Sequence, residues 1–143
     1  MCGFTGYVSK SKNKQETIKK MSDMIYHRGP DDFSYYVDDH IAMGFRRLSI
    51  IDLENGRQPM ENEDGSLVIT FNGEIYNYRE LKESLEERGH IFKTNSDTEV
   101  IIHGYEEYKE QIVKKLRGMF AFVIWNKNNN ELTNGEINNN SNS

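Results

Sequence analysis

A chain of 143 residues fits one domain, large enough to bury roughly two thirds of its unfolded surface. Its 18 Lys and Arg against 23 Asp and Glu leave a net charge of -5, which argues against nucleic acid or a membrane surface as the main partner. A single cysteine excludes an internal disulfide, and no secretory signal or bilayer-spanning run is evident, so the expected compartment is cytoplasmic.

In chain order, "CGFTGYV" sets β-branched and aromatic residues between glycines and predicts a short first strand. "QETIKKMSDMIYHRG" then places Ile18, Met21 and Ile25 at helical spacing, with Gly29-Pro30 as a stop. "FSYYVDDHIAMGFRRLSII" predicts two strands joined at Asp38-Asp39, and "GSLVITFNGEIYN" a further strand running into a turn at Asn72-Gly73. "YRELKESLEERGH" reads as a helix ending at Gly89. "SDTEVIIHGYEEYKE" opens with a Ser96-to-Glu99 capping box and predicts an inner helix. "MFAFVIW" is a continuous apolar run, expected as a strand buried on both faces. After Trp125 the composition turns to asparagine, with too little apolar surface to offset the entropy of ordering, and disorder is expected from about Asn128.

The one thiol stands at position 2, directly behind the initiator methionine. Once that methionine is removed, thiol and α-amine belong to the same residue, so a nucleophile and a base are built in together. An ordinary thiol is only a few per cent ionised at neutral pH, whereas an α-amine is well matched to move protons there. His27, His40, His90 and His103 show no metal-ligand spacing, and no metal site is expected.

This is the arrangement of the N-terminal nucleophile hydrolases. In order along the chain, "MCGFTGYV", "HRGPDD", "RRLSIIDL", "GRQPM", "FNGEIYNY", "SDTEVI" and "LRGMFAFVIW" resemble the N-terminal glutaminase domain of glutamine-hydrolysing asparagine synthetases, a class II glutamine amidotransferase family. The resemblance covers about Met1 to Trp125 and implies a fold of the α/β (α+β) class, a four-layer αββα sandwich. It also implies that Cys2 attacks the side-chain carboxamide of L-glutamine, forms a γ-glutamyl thioester and releases ammonia.

The same resemblance assigns the oxyanion hole to the Asn72 amide and the Gly73 backbone N–H, although Asn-Gly alone equally reads as a hairpin turn. Arg47 matches the arginine that grips the substrate α-carboxylate, a task suited to a guanidinium fork. Arg46 has no such match, and either arginine alone reads as a solvated strand-end charge. Leu48, Ser49, Ile50 and Ile51 are expected to line the same pocket. Glu74 and Asp97 match the carboxylates that receive the α-ammonium, with helix capping as the competing role of Asp97. "HRGPDD" resembles a loop that closes over bound glutamine, while Gly-Pro also simply ends a helix.

Beyond "MFAFVIW" the family continues with further strands and then a synthetase domain that binds ATP and aspartate, and "ELTNGEINNNSNS" departs from that pattern. The expected organisation is therefore a glutaminase domain over 1–127, lacking its last strands, and a disordered tail over 128–143. No cofactor is expected in this chain, ATP and Mg belonging to the synthetase domain. Expected partners are L-glutamine and a synthetase domain supplied in trans. Alternatives are a non-catalytic remnant, a glutamine-binding module, or a glutaminase serving another acceptor.

Overall fold

The computed structural model describes residues 2–47 and 56–137. Two compact units follow one another, Met1–Pro59 and Met60–Ser143, each an antiparallel sheet with helix packed on it, so the chain is of mixed α/β class.

In the first unit β1 (Gly3–Val8) is followed by helix α1 (Lys14–Met24), a 3-10 turn at Tyr26–Arg28, and the hairpin β2 (Asp32–Val37) and β3 (Ile41–Arg47). β3 lies centrally between β1 and β2, and all seven of its residues are buried. The predicted hairpin turn forms at the acidic pair, where the Asp38 carboxylate accepts the backbone N–H groups of His40 and Ile41 at 2.8 and 2.9 Å. The inward stripe of α1 differs from the predicted one. Ile18 is fully buried, but it is flanked by Lys14 and Ser22 in steps of four, while Met21 and Ile25 are only half-buried. Polar side chains can occupy that stripe because their groups are satisfied: Ser22 Oγ lies 3.1 Å from Thr5 Oγ1, and Lys14 Nζ donates to the carbonyls of Ser11 and Asp39.

The second unit contains β4 (Met60–Glu61), β5 (Leu67–Ile75), helices α2 (Tyr78–Glu87), α3 (Asp97–Tyr108) and α4 (Ile112–Lys115), then β6 (Gly118–Asn126) and β7 (Glu131–Ile137). Its sheet runs β4-β5-β6-β7. Alternate residues of β5 and β6, among them Ile69, Phe71, Phe122 and Ile124, form one core with Ile101, Ile102 and Tyr105 of α3. β6 is buried on both faces, as predicted, only at its end, where Ile124 and Trp125 are both buried. Phe120, Phe122 and Ile124 enter the core, whereas Ala121 and Val123 are half-buried and Met119 is exposed, because the helices pack on the alternate residues of the strand. The capping box at α3 also forms only in part. Ser96 Oγ accepts the Thr98 N–H, but the Glu99 carboxylate turns to the N–H groups of Lys93 and Thr94.

Two larger expectations are corrected. Asn72-Gly73 is no turn: β5 runs straight through it, with Asn72 opposite Ala121 and Gly73 opposite Phe120 of β6. Nine residue pairs of ladder outweigh the local preference of an Asn-Gly dipeptide. Gly73 sits at φ +134°, and a Cβ there would lie 2.2 Å from the Met119 carbonyl oxygen. Gly73→Ala should therefore cost about 1–3 kcal/mol in dihedral strain before the clash is counted. A fall of roughly 10 °C in melting temperature is expected. An unchanged melting temperature would show that β6 yields without cost.

The tail beyond Asn128 is likewise not disordered throughout, since β7 pairs with β6 over Glu131–Ile137. The asparagines that resemble a low-complexity run supply the turn. Asn130 adopts φ +55°, a conformation asparagine tolerates, while the Asn126 and Asn129 side chains accept the N–H groups of Asn128 and Glu131. No helix of the described residues is long and apolar enough to cross a membrane.

Candidate active site

Cys2 stands immediately before β1, half-buried, and its backbone carbonyl accepts a hydrogen bond from Arg28 Nε at 3.3 Å. The β1–β3 register opens with Gly3 opposite Arg46, and Cys2 directly precedes Gly3 as Arg47 directly follows Arg46. Alternation of side chains then decides which face these residues share. A Cβ at Gly44 would meet Ser22 and Ile18 of α1, and Arg46 donates from Nε to the Ser22 carbonyl at 3.0 Å, so Gly44 and Arg46 face the helix. Phe45 and Arg47 consequently belong to the opposite face.

The two adjacent arginines are thereby separated in role. Arg46 is no solvated charge: it is buried, pairs with Asp23 at 2.5 Å, and lies over the rings of Tyr26 and Phe33. It fastens α1 to the sheet. Arg47 is equally buried, donates to the Gly56 carbonyl and lies 6.0 Å from the Phe45 ring. Leu48, Ser49, Ile50 and Ile51 lie outside the described residues.

"HRGPDD" is held against the end of β3. Pro30 bridges to Arg47, the Asp31 N–H donates to the Arg47 carbonyl at 3.0 Å, and a Cβ at Gly29 would lie 2.5 Å from the Arg46 carbonyl carbon. By sequence Arg28 and Gly29 fit a hinged lid; in the structure the Arg28 side chain holds the Cys2 carbonyl.

In the second unit Asn72 and Glu74 project to the face of β5 opposite the core residues Phe71 and Ile75. Asn72 is half-buried, Gly73 and Glu74 are exposed, and among the described residues the Asn72 amide makes no hydrogen bond within the chain. Asp97 begins α3 but does not cap it. Its Oδ2 accepts the Ile75 N–H at 2.8 Å, joining the helix start to the end of β5. Burial holds the Asp97 carboxyl above the usual carboxylate range, the Ile75 N–H opposes this, and the nearby negative charge of Glu74 adds to it. Among the described residues no cationic side chain pairs with Glu74 or Asp97.

Comparison with known proteins places these residues in context. A family profile described as a glutamine amidotransferase domain matches residues 1–135, a span that continues into β7 although the departing sequence pattern predicted an earlier end. Asparagine synthetase (glutamine-hydrolyzing) 1 of Bacillus subtilis (strain 168) is 56% identical over 137 residues, which is 92% of this chain and 22% of that protein. The Zea mays asparagine synthetase (glutamine-hydrolyzing) is 46% identical over 127 residues, 87% of this chain and 21% of that one. Among solved structures, the glutamine phosphoribosylpyrophosphate amidotransferase from B. subtilis, complexed with ADP and GMP, has a TM-score of 0.52 at 30% identity, over 64% of this chain and 22% of its own. The chain thus spans about a fifth of the length of the relatives it matches.

Proposed function

The chain belongs to the glutamine amidotransferase domain family, and on that premise we propose that it hydrolyses L-glutamine to L-glutamate and ammonia with Cys2 as the nucleophile. The observation that carries this reading is the placement of Cys2 immediately before β1, at the end of the sheet where the buried Arg47 closes β3.

With the initiator methionine removed, the α-amine of Cys2 takes the thiol proton as sulfur attacks the carboxamide carbon. The carbonyl oxygen becomes an oxyanion, stabilised by the Asn72 amide and the Gly73 N–H. Collapse of the tetrahedral adduct breaks the C–N bond, the α-ammonium returns the proton to the departing nitrogen, and ammonia leaves a γ-glutamyl thioester. Water, deprotonated by the same amine, then attacks the thioester and frees glutamate and the thiol. Arg47 holds the substrate α-carboxylate, and Glu74 with Asp97 holds its α-ammonium.

None of these steps uses a cofactor. The released ammonia serves an asparagine-forming synthetase domain, in the same protein or supplied in trans, and ATP and Mg act only there. The names of the related synthetases and the identities of 41–56% among those from Bacillus subtilis support that acceptor. The reaction takes place in the cytoplasm. The decisive experiment incubates the purified chain with L-glutamine and follows glutamate, ammonia and intact mass. Equimolar products from a chain lacking the first methionine are expected, and a correctly processed chain that releases neither product overturns the proposal.

Asp97→Asn tests the ammonium site separately. Since the folded chain holds this carboxyl above its ordinary value, its contribution to stability is fully present in acid. It is lost as pH rises through the raised folded value. Removing the charge should therefore maintain or raise the melting temperature at pH 7, because an amide oxygen still accepts the Ile75 N–H. KM for glutamine should rise by about 10- to 100-fold, the loss of one charge-assisted hydrogen bond. A wild-type KM in the variant would return Asp97 to a purely structural role.

A further inference from the structure

A second cluster of reactive side chains lies in the second unit, where His90 follows α2, His103 and Glu106 lie on α3, and Glu63 lies in the β4–β5 connection. We propose that His90, His103, Glu106 and Glu63 form a binding site for a divalent first-row transition ion of the zinc type.

The donor atoms around His103 already stand near the required spacing. Ligands about 2.1 Å from a tetrahedral ion stand about 3.4 Å apart. His103 Nδ1 is 3.2 Å from Glu106 Oε1 and 3.4 Å from Glu63 Oε1, while His90 Nδ1 is 3.8 Å from Glu106 Oε2. Donor atoms of His90, His103 and Glu106 all lie within 4.8 Å of one another. Both imidazoles thus direct Nδ1 toward one carboxylate.

The far side of each ring is held as well. His90 Nε2 lies 2.7 Å from Glu107 Oε1, and His103 Nε2 lies 3.5 Å from Glu99 Oε1. At His90 the hydrogen-bonded carboxylate behind Nε2 fixes the tautomer that leaves Nδ1 with a lone pair and raises the basicity of that nitrogen. The His103 side chain is only 2% exposed and its ring lies tilted against Phe92, 4.6 Å between centroids, so the ring is fixed before any ion arrives.

Charge favours the same occupant. Four carboxylates surround two imidazoles, and a divalent ion between Glu63 and Glu106 replaces the repulsion of like charges with two attractions. A cavity of about 30 Å³ bordered by Glu63, Lys93, Glu99 and His103 opens beside the cluster, with room for one or two waters. Two imidazoles with carboxylates select zinc, cobalt or nickel over calcium and magnesium, which prefer all-oxygen shells. Bound there, the ion ties the segment after α2, the helix α3 and the β4–β5 connection together.

The test uses the full chain carrying Cys2→Ala, so that no thiol chelates the probe. Titration with Co2+ should yield visible d–d absorption saturating at one ion per chain, and Zn2+ should displace it and raise the melting temperature. His90→Gln and Glu106→Gln avoid the buried His103, and each should weaken Co2+ binding by at least tenfold with an unchanged circular dichroism spectrum. Absence of the absorption overturns the site, as does undiminished binding by both folded variants. Magnesium binding in preference to Co2+ would also refute the assigned ligand chemistry.

Discussion

Replacing Cys2 with alanine is expected to leave the chain folded and to remove glutamine-dependent ammonia release altogether. Removing the nucleophile of a covalent mechanism costs on the order of a millionfold in kcat, far below the detection limit of an ammonia assay. The fold should not register the change. Cys2 precedes β1, its tether to Arg28 runs through the backbone carbonyl, and the buried residues of β3 lie elsewhere. Equal circular dichroism spectra and melting temperatures for the two chains, with turnover confined to the parent, are the expected pair of results. Undiminished turnover by the alanine variant would remove Cys2 from the mechanism and leave the family resemblance without its chemistry.

The second large effect is expected at Asn72. An oxyanion-hole donor contributes about 2.7–4 kcal/mol to the transition state, so Asn72→Ala should lower kcat by about 100- to 1000-fold. KM should change little, because the amide meets a charge that develops only as the tetrahedral adduct forms. Stability should also change little, since Asn72 is held in β5 through its backbone pairing with Ala121 and its side chain is outside the core. A loss confined to KM would mean that Asn72 binds substrate without stabilising the oxyanion. Together with the Cys2 result, this separates the atom that attacks from the group that stabilises what the attack creates.

Much of the local architecture is legible in the residues themselves. β1, the β2–β3 hairpin, α2, α3 and β6 are announced by alternation, helical spacing and turn or cap residues, all of which act over a few neighbours. The candidate site is legible for a different reason. Cys2, Arg47, Asn72, Gly73, Glu74 and Asp97 are recognisable as members of ordered motifs, and their residue types already match the charges and carbonyl of glutamine.

What the tertiary structure alone decides lies wherever a distant partner overrides a local preference. Asn72-Gly73 is a turn by dipeptide and a strand by pairing, because β6, more than forty residues later in the chain, supplies the ladder. The asparagine run reads as disorder by composition, yet its residues form the turn that brings β7 onto β6. Lys14 and Ser22 look like exposed helix positions until neighbouring carbonyls and the Thr5 hydroxyl satisfy them. The histidines show the same limit most clearly. His90 and His103 have no metal-ligand spacing along the chain, and only the packing of α3 against the segments around it brings them to one carboxylate. Residue chemistry is carried by each position separately, whereas coordination and pairing depend on distances that only a folded chain defines.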